Sequence, residues 1–322
     1  MTNTRERFVA TAPIFEGAIA RLETVAPVEI SPSTDEETML GLLDNTIGIV
    51  CRGEGKVTAR MIAGCPTLKV IGRPGAGFDS VDLVTATSRN IPLVYAPVGG
   101  FAVAEGAMAM LLAIAKELLI LDRHVREGRW EKRYETMTSD LTEKTMGIIG
   151  LGRIGSYLAR LLQPFDMKLL GYDPVVTSEA AAETGVQWVP LEELLARADF
   201  VSVHVPLNDS TRGLINAERL AAMKPGAILI NTSRGAIVEN LDVVADALES
   251  GRLGGAGLDV FPQQPPDSSH RIFQHPRLLC SPHVAGISAL AWQRVSMTMA
   301  DGMVAVLEGK HPEYCVNPEV FS

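Results

Sequence analysis

Three places in this chain hold residues whose types and spacing could do chemistry. The most explicit is Gly150-Leu-Gly-Arg-Ile-Gly155. Glycines at that spacing allow a tight turn and a close backbone approach to phosphate, and a helix that follows offers unpaired N–H groups and the positive end of its dipole. The strand-like run "TMGIIG" precedes the motif, a helical run over 156–162 follows it, and Asp173 ends the next strand 18 residues after Gly155. An ordinary glycine turn before a helix needs none of that agreement. The spacing predicts a dinucleotide site in which Gly150 makes the turn, Gly152 lets the backbone approach the pyrophosphate and Gly155 lets helix pack on strand. Asp173 would accept bonds from the adenosine ribose hydroxyls. A 2′-phosphate there would face a carboxylate, so NAD is expected rather than NADP.

The other two places are an Arg-Gly turn at Arg234-Gly235 and a Pro-His pair at Pro282-His283. If they are parts of one site, a third part should lie between them, and a carboxylate is the usual group to orient and charge a histidine. The intervening stretch 258–267 reads "LDVFPQQPPD". It offers two glutamines, with Asp267 the next acid along.

The elements that must hold these residues read as two α/β units. Strand-like runs "FVATAP", "VEIS", "IGIVCRG", "LKVIGRPG" and "IPLVYAP" alternate with helical runs over 14–24, 35–43, 58–63 and 80–88. The strands are near-continuous apolar runs, as in parallel sheets covered on both faces. A long helix over about 102–127 and a polar stretch follow. A second alternation then runs through "TMGIIG", "KLLGYD", "VQWV", "FVSVHVP", "AILINTS" and "GGAGLDV". A last helix over 288–307 returns to the first unit. The expected boundaries are 1–99 plus 287–322 for one domain and 100–286 for the other.

With 322 residues, 47% of them hydrophobic, the chain can bury two cores. A net charge of −9 argues against nucleic acid or an anionic membrane as partner. The most apolar run, 101–121, carries Glu105, Lys116 and Glu117, which suits a buried helix rather than a membrane span. No secretory leader is expected, and the four scattered cysteines read as reduced thiols. The protein is therefore expected in the cytoplasm, with no metal.

In order along nearly the whole chain, "VIGRPGAGFDSVD", "VAEG", "VREGRW", "GIIGLGRIG", "VHVPLNDSTRGLIN", "LINTSRGAIV", "GLDVF" and "SPHVAG" resemble the D-isomer-specific 2-hydroxyacid dehydrogenases. The resemblance implies two Rossmann-like, doubly wound parallel-sheet domains with the active site in the cleft between them. It implies a homodimer built on the long helix and the "GRW" arm. Arg234 then resembles the arginine that binds the substrate carboxylate, for which a guanidinium fork is well shaped. His283 resembles the general acid-base group. Asp259 resembles the residue that holds the nicotinamide carboxamide. Arg153 and Ile154 would meet the pyrophosphate, and His204, Val205, Pro206, Thr211, Thr232, Ser233, Ala285 and Gly286 would line the dinucleotide site. Ala76 and Gly77 resemble a second carboxylate-binding element, and Arg73 is a candidate for a second negative group on the substrate.

The chain departs from the family pattern where a glutamate usually follows the aspartate of "DVF" by five residues. Gln264 stands there. A carboxylate beside an imidazole favours its charged form, and one to two pKa units of that effect would be worth ~1.4 to ~3 kcal/mol. An amide can still hold the ring. Gln264 therefore reads as a working variant, with keto-acid reduction moved to more acidic pH; NAD-dependent formate dehydrogenases also use a Gln-His pair. Alternatively Asp267 or another nearby acid supplies the charge, or the chain is an NAD-binding regulator with weak catalysis. The loop "PVGGFAVAE" lacks the asparagine of the formate enzymes, and Gly106 replaces a histidine that often follows "VAE". Gly99 and Gly100 would leave a roomier rim and Phe101 an apolar wall. The expected reaction is hydride transfer between nicotinamide and a small anionic D-2-hydroxy or 2-oxo acid: hydroxypyruvate, glyoxylate, lactate/pyruvate or a phosphorylated relative. No carboxy-terminal regulatory extension is expected.

Overall fold

The structure, a computed structural model, describes residues 6–53 and 55–322. Part of the amino-terminal stretch in which no leader is expected lies outside the described residues. Two compact units form. One takes the described residues of Met1–Gly99 together with Ile287–Ser322, and the other is Gly100–Gly286.

The first unit is built on five parallel strands: β1 (Arg7–Ala10), β2 (Val28–Ile30), β3 (Thr46–Val50), β4 (Val70–Arg73) and β5 (Leu93–Tyr95), in the order β2-β1-β3-β4-β5. Successive strand residues face opposite sides, and both sides are covered. Phe8 joins Leu22, Met299 and Met303 in one core, while Val9 joins Met39, Ile49 and Met61 in the other. That explains strands that are apolar at every position. Helix Ala289–Leu307 returns to this sheet with Ser288 as its cap, the hydroxyl accepting from the Ala291 N–H. It packs so closely that a methyl on Gly72 would meet the sulfurs of Met303 and Met299.

The second unit has seven parallel strands: β6 (Thr145–Ile149), β7 (Lys168–Tyr172), β8 (Gln187–Trp188), β9 (Phe200–Val203), β10 (Ala227–Asn231), β11 (Leu253–Leu258) and β12 (Leu278–Cys280). Their order is β12-β11-β10-β9-β6-β7-β8. The chain starts at β6, winds outward to β8, then restarts on the other side at β9. The carboxyl ends of β6 and β9 therefore flank the switch point, the place where open α/β sheets bind ligands. Ile148 and Ile149 belong to cores on opposite faces of this sheet. The short edge strand β12, with no fully buried residue, is not anticipated from the sequence.

The helix expected over 102–127 is two helices, Gly100–Ala115 and Leu118–Arg126. The break is at Glu117, whose φ of 51° is left-handed. The apolar run passes straight through it, so the sequence pattern does not show the break. Its causes are tertiary. The Ser139 N–H donates to the Ala115 carbonyl, and the nearly enclosed Glu117 carboxylate accepts from Arg277 Nη2 at 2.9 Å. The second helix buries none of its residues and leaves Leu118, Leu119 and Val125 exposed. Among the described residues, no helix is long and apolar enough to cross a membrane.

Burial pushes the Glu117 carboxyl above its ordinary value and Arg277 pulls it back down. Burial outweighs Arg277, so the folded state already holds a proton there more tightly than the unfolded chain, and without Arg277 it would hold it more tightly still. Arg277→Ala should therefore cost about 1–2 kcal/mol near neutral pH. The cost should shrink as the pH falls toward the carboxylate range, where Glu117 is protonated in both states. Urea denaturation of both proteins at two pH values measures this. A pH-independent difference would mean that the pair does not hold the break.

Candidate active site

The glycine loop leaves the end of β6. Gly150 has a φ of +97°, and a methyl on it would stand 2.7 Å from the His204 carbonyl carbon. A methyl on Gly155 would stand 1.9 Å from the Gly150 oxygen. Both positions are closed by the chain itself. Gly152 is different: its φ is −68°, and nothing lies within 4 Å of where its Cβ would be. It precedes helix Arg153–Leu162 and offers no side-chain cap, so the first N–H groups of that helix face outward without one. Arg153 is exposed and Ile154 half-buried. Asp173, just past β7, is fixed beside the loop by three backbone donors: Leu151 N at 2.9 Å on one oxygen, Val175 N at 2.8 Å and Val176 N at 3.2 Å on the other.

Across the switch point, β9 runs into His204, Val205 and Pro206. The His204 N–H donates to the Ile149 carbonyl at 2.7 Å, and its Nε2 pairs with the Ser202 hydroxyl at 2.8 Å. Burial lowers its pKa to about 4, so the ring is neutral near pH 7. Its Nδ1 is enclosed without a hydrogen-bond partner, and so is the Thr232 hydroxyl. These two atoms follow the paired residues Val203 and Asn231 of neighbouring strands. Buried polar groups are nearly always satisfied, so two orphans at adjacent strand ends fit a partner that the protein does not supply. Thr211, in contrast, is engaged as a lock: its hydroxyl donates to the Pro206 carbonyl at 2.6 Å and accepts from the Asn208 N–H at 2.9 Å.

Arg234 follows β10 in a turn held by Asn231, a fully buried residue whose importance the sequence does not announce. The Asn231 Oδ1 accepts from the Ser233 N–H at 3.0 Å, and its Nδ2 donates to the Arg234 carbonyl at 3.0 Å. The Ser233 hydroxyl accepts from the Arg234 N–H and donates to the Val205 carbonyl. Gly235 then presses on the next loop; a methyl there would stand 1.9 Å from the Phe261 carbonyl carbon. Thus the arginine turn is seated against the backbone that leads to Gln264.

Asp259 binds that second loop to a third. It is 1% exposed. Its Oδ1 accepts from the Ser281 hydroxyl and from Val284 N at 2.8 Å, and its Oδ2 accepts from Ala285 N at 3.0 Å. Its carbonyl accepts the His283 N–H at 2.8 Å. Both carboxylate oxygens thus serve the histidine loop, a role the sequence did not suggest. His283 is held at φ +57°, a region that non-glycine residues enter at a cost of about 1 kcal/mol or more. Its Nδ1 lies 3.0 Å from the Gln264 Oε1. Asp267 is engaged elsewhere, its Oδ1 accepting from the Ser269 N–H and hydroxyl, and these bonds hold its carboxyl below the usual range. Of Gln264 and Asp267, the amide is the one within hydrogen-bond distance of the histidine.

Gly100 opens its helix with room for a methyl only 3.4 Å from Ile154 Cγ1, and Phe101 lies near Tyr157, their ring centroids 6.4 Å apart. Gly99, Arg73, Ala76 and Gly77 belong to the first unit. Arg73 is the last residue of β4 and donates to the Pro74 carbonyl at 3.2 Å; Ala76 is exposed and Gly77 half-buried in the loop beyond. Gly99 abuts Val295 Cγ1.

Residues 108–285 match the model of the D-isomer specific 2-hydroxyacid dehydrogenase NAD binding domain, more than half of the chain. The chain belongs to that family. Its glycine cradle, its bare helix start and its two orphan polar atoms fit the NAD cofactor of the matched domain. Among family relatives, a D-3-phosphoglycerate dehydrogenase from Synechocystis sp. is 35% identical over 315 residues, covering 98% of this chain and 56% of the relative. The chain thus spans little more than half the length of that relative. A Thermus thermophilus protein of solved structure is 32% identical, with a TM-score of 0.89 over 96% of this chain and 99% of that one. A D-lactate dehydrogenase from Aquifex aeolicus, solved with NAD and lactic acid, is 27% identical, with a TM-score of 0.86 over 97% and 99%.

The empty space at Gly152 separates a ligand role from a structural one. Gly152→Ala meets no protein atom and has an ordinary φ, so its melting temperature should stay within about 2 °C of the native value. A methyl at the expected point of phosphate approach should nonetheless weaken NADH binding at least tenfold. Differential scanning fluorimetry and NADH fluorescence titration test the pair of outcomes. Unchanged affinity would place the pyrophosphate elsewhere.

Proposed function

We propose that this protein is an NAD-dependent dehydrogenase of a small D-2-hydroxy acid, working on the hydroxypyruvate, glyoxylate, lactate/pyruvate or phosphoglycerate class of substrate. The observation that carries this reading is the Gln264–His283 contact at 3.0 Å, fastened through Asp259 and Gly235 to the Arg234 turn. An arginine fork, a held imidazole and a dinucleotide loop on one sheet edge are what this chemistry requires of a protein.

Bound NAD would supply or accept the hydride. The Arg234 guanidinium would pair with the substrate carboxylate and polarise the adjacent C=O. His283 would give a proton to that oxygen during reduction and take it from the hydroxyl during oxidation. With the Gln264 oxygen accepting from an Nδ1–H, the imidazole would exchange its proton with the substrate through Nε2. An amide can also turn and donate, so it can hold either neutral tautomer, whereas a carboxylate holds only the Nδ1–H form. Asp173 favours NAD over NADP, because its fixed carboxylate would repel a 2′-phosphate. Ala76 and Gly77 are proposed to offer N–H groups to the substrate carboxylate, Gly99 and Gly100 to line its rim, and Arg73 to meet a second anionic group.

Leu118, Leu119, Val125, Trp130, Tyr134 and Met137 are apolar and exposed; a second copy of the chain would cover them, and a homodimer through 118–137 is the reading they support. Four free cysteines, two of them buried, suit a reducing compartment such as the cytoplasm.

The deciding assay is NADH consumption with a panel of 2-oxo acids between about pH 5.5 and 8, the range that brackets a histidine. Reduction that strengthens toward acid pH is expected. Absence of turnover on every acid, with NADH still bound, would sink the enzyme reading in favour of a regulator. Gln264→Glu sets a carboxylate against Nδ1 and favours imidazolium, so the pH above which reduction fails should rise by about one unit. An unmoved profile in a folded variant would remove Gln264 from the mechanism.

A further inference from the structure

Gly106 lies in the second turn of helix Gly100–Ala115, outside every group of residues assigned so far. A methyl built on it would stand 3.0 Å from the Ala285 Cβ and 3.1 Å from the Ala285 Cα and carbonyl oxygen. One turn earlier on the same helix, the Val103 Cγ2 lies 3.1 Å from where a methyl on Gly286 would be. The helix therefore abuts the segment just after His283 at two successive turns, and its approach depends on the missing side chain at 106.

The segment cannot simply back away. On its other side the Asp259 carboxylate binds the Ser281 hydroxyl and the Val284 and Ala285 N–H groups, and the Asp259 carbonyl binds the His283 N–H. His283 itself holds a left-handed φ between these anchors. A loop gripped on one face and pressed on the other has its height set by both. At that height the His283 Nδ1 lies 3.0 Å from the Gln264 Oε1.

We infer that Gly106 is a positioning residue for His283: by lacking a side chain it lets the helix seat the 283–286 segment so that the imidazole meets Gln264. This rests on the proposed role of His283 as the acid-base group, but the contact itself can be tested without turnover.

The experiment follows the His283 imidazole by NMR titration in the cofactor-free chain, alongside NADH affinity and, where the native chain turns over, kcat, KM and their pH profiles. Gly106→Ala should displace the ring from its acceptor and move its titration midpoint to more acidic pH, since a bond that favours the charged form is lost. kcat should fall at least tenfold with KM for the oxo acid little changed, and NADH affinity, which reads the same Ala285–Gly286 segment, should fall by less than that. Adding Ala285→Gly to that variant removes the nearest contact and should recover at least half of the midpoint shift. If Gly106→Ala does not fold, Gly286→Ala pushes the same segment against a valine methyl that can yield, and the same shift is expected at smaller size. A midpoint unchanged in every folded variant overturns the inference. A shifted midpoint in a chain whose native form turns over no 2-oxo acid supports the positioning and refutes only the enzymatic reading.

Discussion

The second unit depends on one buried carboxylate. Asp259 sits at the end of β11 with 1% of its surface exposed and receives three donors from a loop that starts beyond β12. Its own N–H donates to the Asn231 carbonyl, next to the arginine turn. Burying a carboxylate is costly unless its lone pairs are filled, and here the donors come from the segment that must be held in a left-handed bend at His283. Desolvation and strain are thus offset by the same set of bonds. Removing that carboxylate would loosen the Ser281–Ala285 segment and leave the Val284 and Ala285 N–H groups without acceptors.

The parts of this architecture that were legible in the sequence are those set by local rules. Parallel strands in two covered sheets show as apolar runs, because Phe8 and Val9, or Ile148 and Ile149, are buried on opposite faces. The glycine loop is legible because Gly150 and Gly155 are required by contacts within ten residues or by the adjacent strand. The break at Glu117 was hidden, since a glutamate carries no left-handed preference and its partner Arg277 lies 160 residues away. Asn231 was hidden for a related reason. An asparagine after a strand reads as a turn former, and only its complete burial shows that both ends of its amide shape the turn. The departure at Gln264 could be read as a change of residue, but the structure was needed to show that the amide, and not Asp267, stands against the imidazole.

The groups proposed for catalysis are also unequally anchored. Arg234 and His283 leave strand ends through turns with several backbone bonds each, whereas Gln264 is exposed on a proline-rich loop. The loop is kept close by Gly235, which admits the Phe261–Pro262 backbone where no other residue could. Rigidity at the arginine turn is thereby passed to a loop that has little packing of its own. Helix Gly100–Ala115 adds a second constraint, touching the phosphate loop at Gly100 and the histidine segment at Gly106.

The exposed position of the Gln264–His283 pair has a consequence for the medium in which it works. A carboxylate at an open site acts on its neighbour through a field that dissolved ions screen over about 8–10 Å at ordinary ionic strength. The proton affinity of a histidine so paired drifts as salt rises. An amide carries no net charge for counter-ions to collect around, and its hold on the ring is a short-range bond. In giving up the stronger electrostatic push, this chain sets beside the proposed proton-transfer group a partner that exerts the same influence in dilute and in concentrated electrolyte.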